Sequence, residues 1–362
     1  MDRALNVIIA MQFAWIGLAS EITFIDSLLH EGDACTLADG VTRGTCRRDT
    51  SCLYLKTVSQ DEWKTCAFVG NSAIVCCPDK TPIALQDVPG RFKYKSDEMC
   101  ASFRDTPVTT NHILNGTEAQ IEDFPYLGAL ALQESHEPKY GCGASLISDR
   151  FLLTAAHCVV AKKVVHVRLG TLSLEDNTVG EEPVIIGIEE PKYIHPNYTK
   201  VNRRMLRNDI ALLKLNRTVV EEFLIPACLY TEQSDPLPGV PLSIAGWGVT
   251  DANDGDMSPI LLKAQVSTYE RDKCDSDMKN DSNPFARVGL VSGQLCTLSR
   301  KEGELMNDTC PGDSGGPLEL SVGRRNYIVG ITSTGMPCGT NFPGIYTRVS
   351  QYIRWIESII FP

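Results

Sequence analysis

Three residue types that can cooperate in nucleophilic catalysis occur in the chain order His157, Asp209, Ser314. A serine hydroxyl is a weak nucleophile until a neighbouring base takes its proton, and a histidine serves as that base when a third group fixes its tautomer. Ser314 lies in the string Gly-Asp-Ser-Gly-Gly. The glycines of this string let the main chain turn tightly and let a substrate approach the hydroxyl. These residues predict acyl transfer through a serine nucleophile.

The string around Ser314 also satisfies the pattern G-x-S-x-G, which marks the nucleophile elbow of α/β-hydrolases. In that fold the catalytic histidine follows the serine in the chain. All six histidines of this sequence precede Ser314. The chain order therefore excludes the elbow, and it matches the order His, Asp, Ser of chymotrypsin.

The local sequence around the other two residues supports the same chemistry. His157 ends an apolar run beside Cys158, and Asp209 directly precedes a second apolar run. His166 and His195 fall in an alternating strand and in a turn, and we interpret both as structural residues.

Short apolar or alternating runs separated by turn residues extend over residues 113–362. Many short strands at such spacing are typical of an all-β sandwich or barrel. Near the end of the chain Ser350 is a candidate helix N-cap, and Ile353, Ile356 and Ile360 form one apolar stripe. We expect an all-β domain that ends in a docked helix.

The composition is that of a globular protein, with 43% hydrophobic and 22% charged residues among 362. A formal net charge of −11 argues against a nucleic-acid partner or an anionic membrane surface, because both require a basic face. Fourteen cysteines, an even number, predict a paired disulfide framework in an oxidising compartment.

Residues 1–19 are interpreted as a signal peptide. The apolar run from Ala4 to Leu18 is too short to span a bilayer, and small residues at its end suit a signal peptidase. Residues 20–34 would then begin a soluble, secreted, extracellular protein as a short N-terminal segment.

Six cysteines cluster within residues 35–77 and predict a small separate module. Such a module is too short to bury a large core, so disulfides are expected to hold it. The sequence alone does not choose among the possible pairings, although the adjacent Cys76 and Cys77 must have different partners. The cluster lacks the repeated C-x-x-C pairs and the histidines of a metal site. Residues 78–112 would form a linker or propeptide.

Residues 113–362 resemble a chymotrypsin-fold serine protease of the trypsin family along their whole length. The matching strings are Ile113–Gly116, Cys142–Ser145, Thr154–Cys158, Asn208–Leu213, Gly246–Gly248, Gly312–Pro317 and Pro343–Val349. The resemblance implies a double β-barrel with a C-terminal helix, and catalysis by His157, Asp209 and Ser314. It also implies an oxyanion hole made of the main-chain N–H groups of Gly312 and Ser314.

The resemblance places Asp308, six residues before Ser314, at the base of the primary substrate pocket. A buried carboxylate without a partner is costly, so such a pocket favours a long cationic side chain. Gly335 and Gly344 would be wall positions that leave room for this side chain, and Ser333 would be a further substrate-binding residue. The expectation is cleavage after Arg or Lys.

Ile113 begins a string similar to the new N-terminus that zymogens of this family expose on cleavage. Its free α-amino group would pair with Asp313 and order the oxyanion loop. The residue before the cut is His112, where relatives commonly have Arg or Lys. A pocket based on Asp308 should accept histidine poorly, so a different, upstream protease is expected to activate this chain.

Sequons for N-linked glycosylation at Asn197, Asn216 and Asn280 fit a secreted protein. The sequons at Asn115 and Asn307 should stay empty, because a glycan there would crowd the activation segment or the substrate pocket.

The family pattern implies four disulfides associated with the protease domain, namely Cys100–Cys228, Cys142–Cys158, Cys274–Cys296 and Cys310–Cys338. The six remaining cysteines resemble those of a clip domain, whose pairs would be Cys35–Cys76, Cys46–Cys66 and Cys52–Cys77. A clip domain before a trypsin-like domain is similar to the arthropod clip-domain serine proteases of haemolymph cascades. The non-basic His112 resembles the subgroup that acts upstream in those cascades.

The resemblance also implies the partners of the protein. Its substrate would be a protein, such as a downstream protease zymogen in an innate immune cascade of the melanisation or Toll type. An upstream activating protease and a serpin-type inhibitor are the other expected partners, with no nucleic acid, membrane, cofactor or required metal.

Two alternative functions remain open at this point. A general digestive trypsin-like protease would not need a disulfide module on a long tether. A non-catalytic clip-domain binding protein would not need an intact catalytic trio.

Overall fold

The computed structural model describes most of the chain. It describes residues 29–37, 43–48, 52, 64–69, 72–78, 93–106, 117–133, 137–175, 182–201, 205–238, 240–249, 257–280, 289–298, 312–334 and 343–362. The expected signal peptide lies outside these stretches. So do several expected site residues, namely His112, Ile113, Asp308, Gly335, Cys310 and Cys338. The chain divides into two compact units, Met1–Asp87 and Val88–Pro362.

The first unit contains a small antiparallel sheet. Its strands are β1 (Ala34–Thr36), β2 (Arg43–Arg48), β3 (Thr65–Val69) and β4 (Ser72–Pro78), in the spatial order β1-β2-β4-β3.

Three disulfides cross-link this sheet, and each joins two cysteines that the clip-domain resemblance pairs. They are Cys35–Cys76, Cys46–Cys66 and Cys52–Cys77. Cys76 and Cys77 are successive residues of β4, and successive side chains of a strand point to opposite faces, so they reach different partners. In the described part of this unit, Ile74 and Val75 are among the few apolar side chains that are fully buried with the cystines. The cross-links therefore hold a small core.

The second unit is built mainly of antiparallel strands. Its elements in chain order are α1 (Lys95–Ser102), β5 (Thr117–Glu118), β6 (Leu127–Gln133), β7 (Lys139–Leu146), β8 (Phe151–Thr154), α2 (Ala156–Val159), β9 (Lys163–Leu169), β10 (Val184–Ile194), β11 (Thr199–Lys200), β12 (Leu206–Arg207), β13 (Ala211–Leu215), β14 (Cys228–Leu229), β15 (Pro241–Gly246), β16 (Leu262–Tyr269), α3 (Arg271–Asn280), β17 (Gln294–Leu298), β18 (Pro317–Val322), β19 (Arg325–Thr334), β20 (Gly344–Arg348) and α4 (Ile353–Ile360).

These strands form two closed barrels, which confirms the all-β, double-barrel fold that the resemblance implies. The first barrel closes in the order β10-β13-β8-β7-β6-β9. Gly128 of β6 allows a close approach there, because a Cβ atom at this position would lie 2.6 Å from a methyl group of Val167 on β9. The second barrel runs β19-β18-β15-β16-β17-β20 and closes through pairing of β19 with β20. β5 and β14 add to the outside of this ring on β16 and β19.

The sequence predicts that the residues of helix α1 belong to the linker. In the structure this helix is attached to the second unit. Cys100 of α1 is bonded to Cys228. The main-chain N–H and the hydroxyl of Ser96 donate to the Glu357 carboxylate of α4 at 2.8 and 3.0 Å. The sequence pattern did not reveal this helix because it docks through polar groups and one cystine rather than through an apolar stripe.

Helix α4 buries Ile353 and Ile356 in the main core, and Ile360 packs against it partly buried, as the apolar stripe predicted. The expected N-cap is wrong. Tyr352 occupies the N-cap position, whereas Ser350 lies within a preceding 3-10 helix, Val349–Gln351, so the α-helix begins only after that tighter turn. Among the described residues, no helix has the length and apolar character needed to cross a membrane.

A cluster of titratable side chains is buried in the second unit. Glu319 of β18 accepts hydrogen bonds from the hydroxyls of Tyr126 and Ser321. Lys263 of β16 pairs with Asp123, and both of these side chains are also buried. Burial, with a smaller effect of the negative charge of Asp123, raises the pKa of Glu319 to about 7, against the lowering effects of the two hydrogen bonds and of Lys263.

We expect Glu319 to make the stability of the second unit depend on pH. Its pKa of about 7 in the folded state exceeds the ordinary value of 4.5, so the native carboxyl keeps a proton that the unfolded chain releases. Its contribution is complete below about pH 4.5 and is lost as the pH rises through about 7. Urea denaturation followed by tryptophan fluorescence should show the free energy of unfolding falling across this interval, and Glu319→Gln should flatten the slope. The exposed Glu118→Gln is the control, and an unchanged slope in Glu319→Gln would contradict the assignment.

Candidate active site

Asp209 is a buried carboxylate just before β13. The preceding residue, Asn208, has a φ of 51°, a left-handed conformation that asparagine tolerates better than most residues. This turn brings the chain from β12 into the buried strand. The Asp209 residue is only 1% exposed to solvent, so its charge must be compensated by protein groups.

Four groups donate hydrogen bonds to Asp209. The main-chain N–H of His157 donates to Oδ1 at 2.8 Å, and the ring Nδ1 of the same residue lies 2.8 Å from Oδ2. The hydroxyl of Ser333 donates to Oδ2 at 2.6 Å, and the hydroxyl of Thr347 donates to the main-chain oxygen at 2.8 Å. Because an unpaired buried charge is costly, the three donors to the carboxylate stabilise the fold, and Thr347 satisfies the main-chain oxygen.

The hydrogen bond to Asp209 sets the orientation of the His157 ring. Helix α2 begins directly after β8 and places His157 in its first turn. We assign the proton to Nδ1, since this nitrogen faces the carboxylate, and this leaves Nε2 as an acceptor. The His157 side chain is 24% exposed, so the buried carboxylate orients a ring that solvent still reaches.

The main chain of Ser314 lies against the segment that carries His157. Its carbonyl accepts a hydrogen bond from the Gly143 N–H at 2.8 Å and lies 3.6 Å from Cys158 Sγ. Cys158 is bonded to Cys142, next to Gly143. The three candidate catalytic residues therefore meet in one region: two are hydrogen-bonded, and the main chain of the third contacts the residue after the histidine.

The glycines around Ser314 are required by the conformation of its loop. Gly312 and Gly315 have positive φ angles of 104° and 78°. A Cβ atom at Gly315 would lie 2.3 Å from Thr154 Oγ1 and 2.6 Å from the Gly143 oxygen. No other residue type fits there without movement of the main chain. The turn holds the N–H groups of Gly312 and Ser314 within one short loop.

Asp313 lies against a notch formed by two glycines. The Gly248 N–H donates to Asp313 Oδ1 at 2.8 Å. A Cβ atom would lie 2.1 Å from Oδ1 if placed on Gly246, and 2.6 Å from it if placed on Gly248. The string Gly246–Trp247–Gly248 thus makes room for this carboxylate. Its expected partner, the amino group of Ile113, lies outside the described residues.

Ser333 and Thr347 have contacts that the sequence did not reveal. The sequence resemblance predicts that Ser333 binds substrate. In the structure its hydroxyl donates a hydrogen bond to the Asp209 carboxylate. Thr347 lies in one of the matching strings, but no feature of that string indicates a bond to a residue 138 positions earlier. Gly344 is buried at the start of β20, where it pairs with Thr297.

Three disulfides are described in the second unit, and each joins cysteines that the family pattern pairs. They are Cys100–Cys228, Cys142–Cys158 and Cys274–Cys296. The fourth expected pair, Cys310–Cys338, lies outside the described residues.

Two groups of side chains among the described residues have the spacing of metal ligands. They are Cys35 with Cys46 and Cys66, and His157 with Cys142 and Cys158. All five cysteines form disulfides, and a disulfide sulfur is not the thiolate that binds a metal. Neither group fits a metal ion.

Two tyrosines lie close enough to Asp209 to be affected by its charge. Burial, with a smaller effect of Asp209, raises the pKa of Tyr352 to about 12. The same two causes raise the pKa of Tyr198. Both phenols are therefore neutral at physiological pH, and the Tyr352 hydroxyl donates to Asn208 Oδ1 at 3.1 Å.

Comparison with known proteins finds one matching family and several similar proteins. The family model described as Trypsin matches residues 113–356. Serine protease Hayan of Drosophila melanogaster is 37% identical over 262 residues, which cover 70% of this chain and 40% of that protein. Phenoloxidase-activating factor 1 of Holotrichia diomphalia is 32% identical over 316 residues, covering 82% of this chain and 83% of that protein. CLIP domain-containing serine protease B10 of Anopheles gambiae is 33% identical over 316 residues, covering 79% and 80%.

Substitution of Ser333 tests whether its hydroxyl acts through Asp209. We expect Ser333→Ala to lower kcat on a peptide reporter by roughly 10- to 100-fold with little change in KM, since a lost hydrogen bond to a charged group costs about 1.5–3 kcal/mol. Ser358→Ala, which removes a hydroxyl bonded only within α4, is the control and should leave kcat unchanged. A raised KM with unchanged kcat would instead assign Ser333 to substrate binding.

Proposed function

The chain belongs to the trypsin family of serine endopeptidases, and its insect relatives include a protein named for its CLIP domain; from this premise we propose that it is a secreted zymogen that cleaves protein substrates after Arg or Lys.

The hydrogen-bonded pair of His157 and Asp209 beside the Ser314 main chain carries the proposal. In the proposed reaction Ser314 Oγ attacks the scissile carbonyl while His157 Nε2 takes its proton. The imidazolium then protonates the leaving amine, which produces an acyl-enzyme that water hydrolyses with the same base. Asp209 holds the histidine tautomer and stabilises the imidazolium.

The N–H groups of Gly312 and Ser314 are the proposed oxyanion donors. They belong to one tight loop with positive φ angles, which supports a fixed arrangement of donors. Donors held where negative charge develops lower the barrier of acyl transfer.

Specificity for Arg or Lys rests on Asp308 at the base of the primary pocket. Gly335 and Gly344 are the proposed wall positions, with Ser333 beside them. Asp308 and Gly335 lie outside the described residues, so the support for this step is the sequence resemblance, together with the buried position of Gly344 at the start of β20.

Reporter peptides that end in Arg, Phe or Ala test this specificity. The zymogen is prepared with an enteropeptidase recognition sequence inserted immediately before Ile113, so that it is activated without its natural protease. We expect kcat/KM for Arg to exceed that for Phe by roughly 100-fold or more, and Asp308→Ser to remove most of this preference. Ser314→Ala should be inactive and resist labelling by a fluorophosphonate. Faster turnover of Phe than of Arg would refute the proposed pocket.

Activation is proposed to occur by cleavage between His112 and Ile113. The new α-amino group of Ile113 would then pair with Asp313, whose carboxylate is already placed against Gly246 and Gly248. Because a pocket that prefers Arg or Lys accepts His112 poorly, a protease with another specificity is the proposed activator.

Incubation of the purified zymogen with a trace of its own activated form tests this point. We expect no cleavage at His112 in the wild-type zymogen, and rapid cleavage at the same bond in His112→Arg, since only the substituted residue suits the pocket. N-terminal sequencing identifies the bond, and a Ser314→Ala zymogen that carries His112→Arg separates added activity from self-cleavage. Rapid wild-type cleavage between His112 and Ile113 would contradict the proposed upstream activator.

The proposed organisation of the chain explains these steps. It consists of a signal peptide (1–19), a short segment (20–34), a clip domain (35–77), a linker or propeptide (78–112) and a protease domain (113–362). The disulfide Cys100–Cys228 would keep the two parts attached after cleavage at residue 112.

The proposed partners are a downstream zymogen as substrate, an upstream protease and a serpin-type inhibitor in a haemolymph immune cascade. The name of one relative, phenoloxidase-activating factor 1, supports a role in activating another protein.

A further inference from the structure

The sequon Asn197-Tyr198-Thr199 lies in the turn between β10 and β11, beside the candidate active site. Tyr198 is half-buried and packs against the main core, where burial and the charge of Asp209 raise its pKa. Asn197 and Thr199 are exposed on either side of it. The middle residue therefore anchors the turn to the protein, and the two residues that define a glycan acceptor face solvent.

The hydrogen bonds that hold this turn use the main chain of Asn197. Its N–H donates to His195 Nδ1 at 3.3 Å, and its carbonyl accepts from Asn208 Nδ2 at 2.7 Å and from Thr199 Oγ1 at 3.2 Å. Within the part of the chain that the structure describes, no hydrogen bond involves the Asn197 side-chain amide. The turn is thus fixed while the nitrogen that a glycan would modify remains available.

The turn is also rigidly connected to the catalytic pair. Asn208, which binds the Asn197 carbonyl, directly precedes Asp209 and accepts a hydrogen bond from the Tyr352 hydroxyl at 3.1 Å. The ring of His195 makes edge contacts with those of Tyr352 and Trp355, with centroid separations of 5.2 and 5.1 Å. Any group attached at Asn197 would therefore be held close to the segment that carries Asp209.

The sequon at Asn216 is less suitable, although it is also exposed. The side-chain amide of Asn216 lies directly over Gly187, because a Cβ atom built there would be 2.5 Å from Asn216 Nδ2. The Asn216 N–H also donates to the Gly187 carbonyl at 2.9 Å. A sugar on Nδ2 would have to displace this packing. The side chain of Asn280, and the sequons at Asn115 and Asn307, lie outside the described residues.

We propose that Asn197 carries an N-linked glycan that restricts the access of proteins, but not of short peptides, to the active site. This rests on the proposed passage of the chain through the secretory pathway. In the modification, Asn197 Nδ2 forms a bond to the anomeric carbon of a lipid diphosphate-linked oligosaccharide. The bond from that carbon to the diphosphate breaks, Nδ2 gives up one proton, and the lipid diphosphate leaves.

Expression of the full chain in insect cells behind a heterologous signal peptide tests the modification independently of residues 1–19. Peptide mass spectrometry after treatment with a peptide-N-glycosidase should find Asn197 converted to aspartate. Asn197→Gln and Thr199→Ala should both lose the same glycan mass, whereas Thr199→Ser, which keeps the sequon, should retain it. Unmodified Asn197 in the secreted wild-type protein would overturn the proposal and leave the proposed protease function untouched.

Activity measurements test the effect on access. After activation at the inserted enteropeptidase site, we expect Asn197→Gln and Thr199→Ala to cleave casein several-fold faster than wild type and an Arg tripeptide reporter at the wild-type rate. Asn216→Gln should match wild type on both substrates. An unchanged ratio of casein to peptide turnover would overturn the restriction of access, whether both rates stay at the wild-type level or both change equally through an altered catalytic pair.

Discussion

The buried negative charge of Asp209 is the constraint on which the rest of the second unit depends. Asp209 belongs to the first barrel, and so does His157, but the hydroxyls of Ser333 and Thr347 come from strands β19 and β20 of the second barrel. A carboxylate with 1% exposure needs the Ser333 donor, and Thr347 binds the main-chain oxygen of the same residue, so the two barrels meet at this point. The bonds that satisfy the charge also orient the imidazole. Stability and catalytic geometry are therefore inseparable around this side chain.

Close main-chain packing is the second constraint, and it explains the glycine-rich strings around the site. The loop Gly312–Gly316 approaches Thr154 and Gly143 so closely that Gly315 has no room for a Cβ atom. The Asp313 carboxylate similarly occupies the space left by Gly246 and Gly248. These strings are recognisable in the sequence because each glycine is required by a local backbone conformation or by a close contact with the backbone.

Polar contacts outside the catalytic trio hold other parts of the molecule in ways that hydrophobic patterns do not predict. Helix α1 docks through Ser96, Glu357 and a cystine, so its residues resemble a linker in the sequence. Glu319 has the sequence context of an ordinary strand residue, and its burial in the folded protein raises its pKa to about 7. The turn at Asn197 is likewise fixed by Asn208, eleven residues later.

The sequence by itself was sufficient to select His157, Asp209 and Ser314 as candidate catalytic residues, to indicate an all-β fold with a C-terminal helix and, through a family resemblance, to pair the twelve cysteines that the structure describes. These features are encoded in residue types, chain order and short strings. Only the tertiary structure decided that the Ser333 hydroxyl donates to the Asp209 carboxylate and the Thr347 hydroxyl to the Asp209 main-chain oxygen. It also decided that the sequons at Asn197 and Asn216 have different surroundings. Such contacts join residues that are distant in the chain, and which residues meet depends on the register and closure of the barrels rather than on any local pattern.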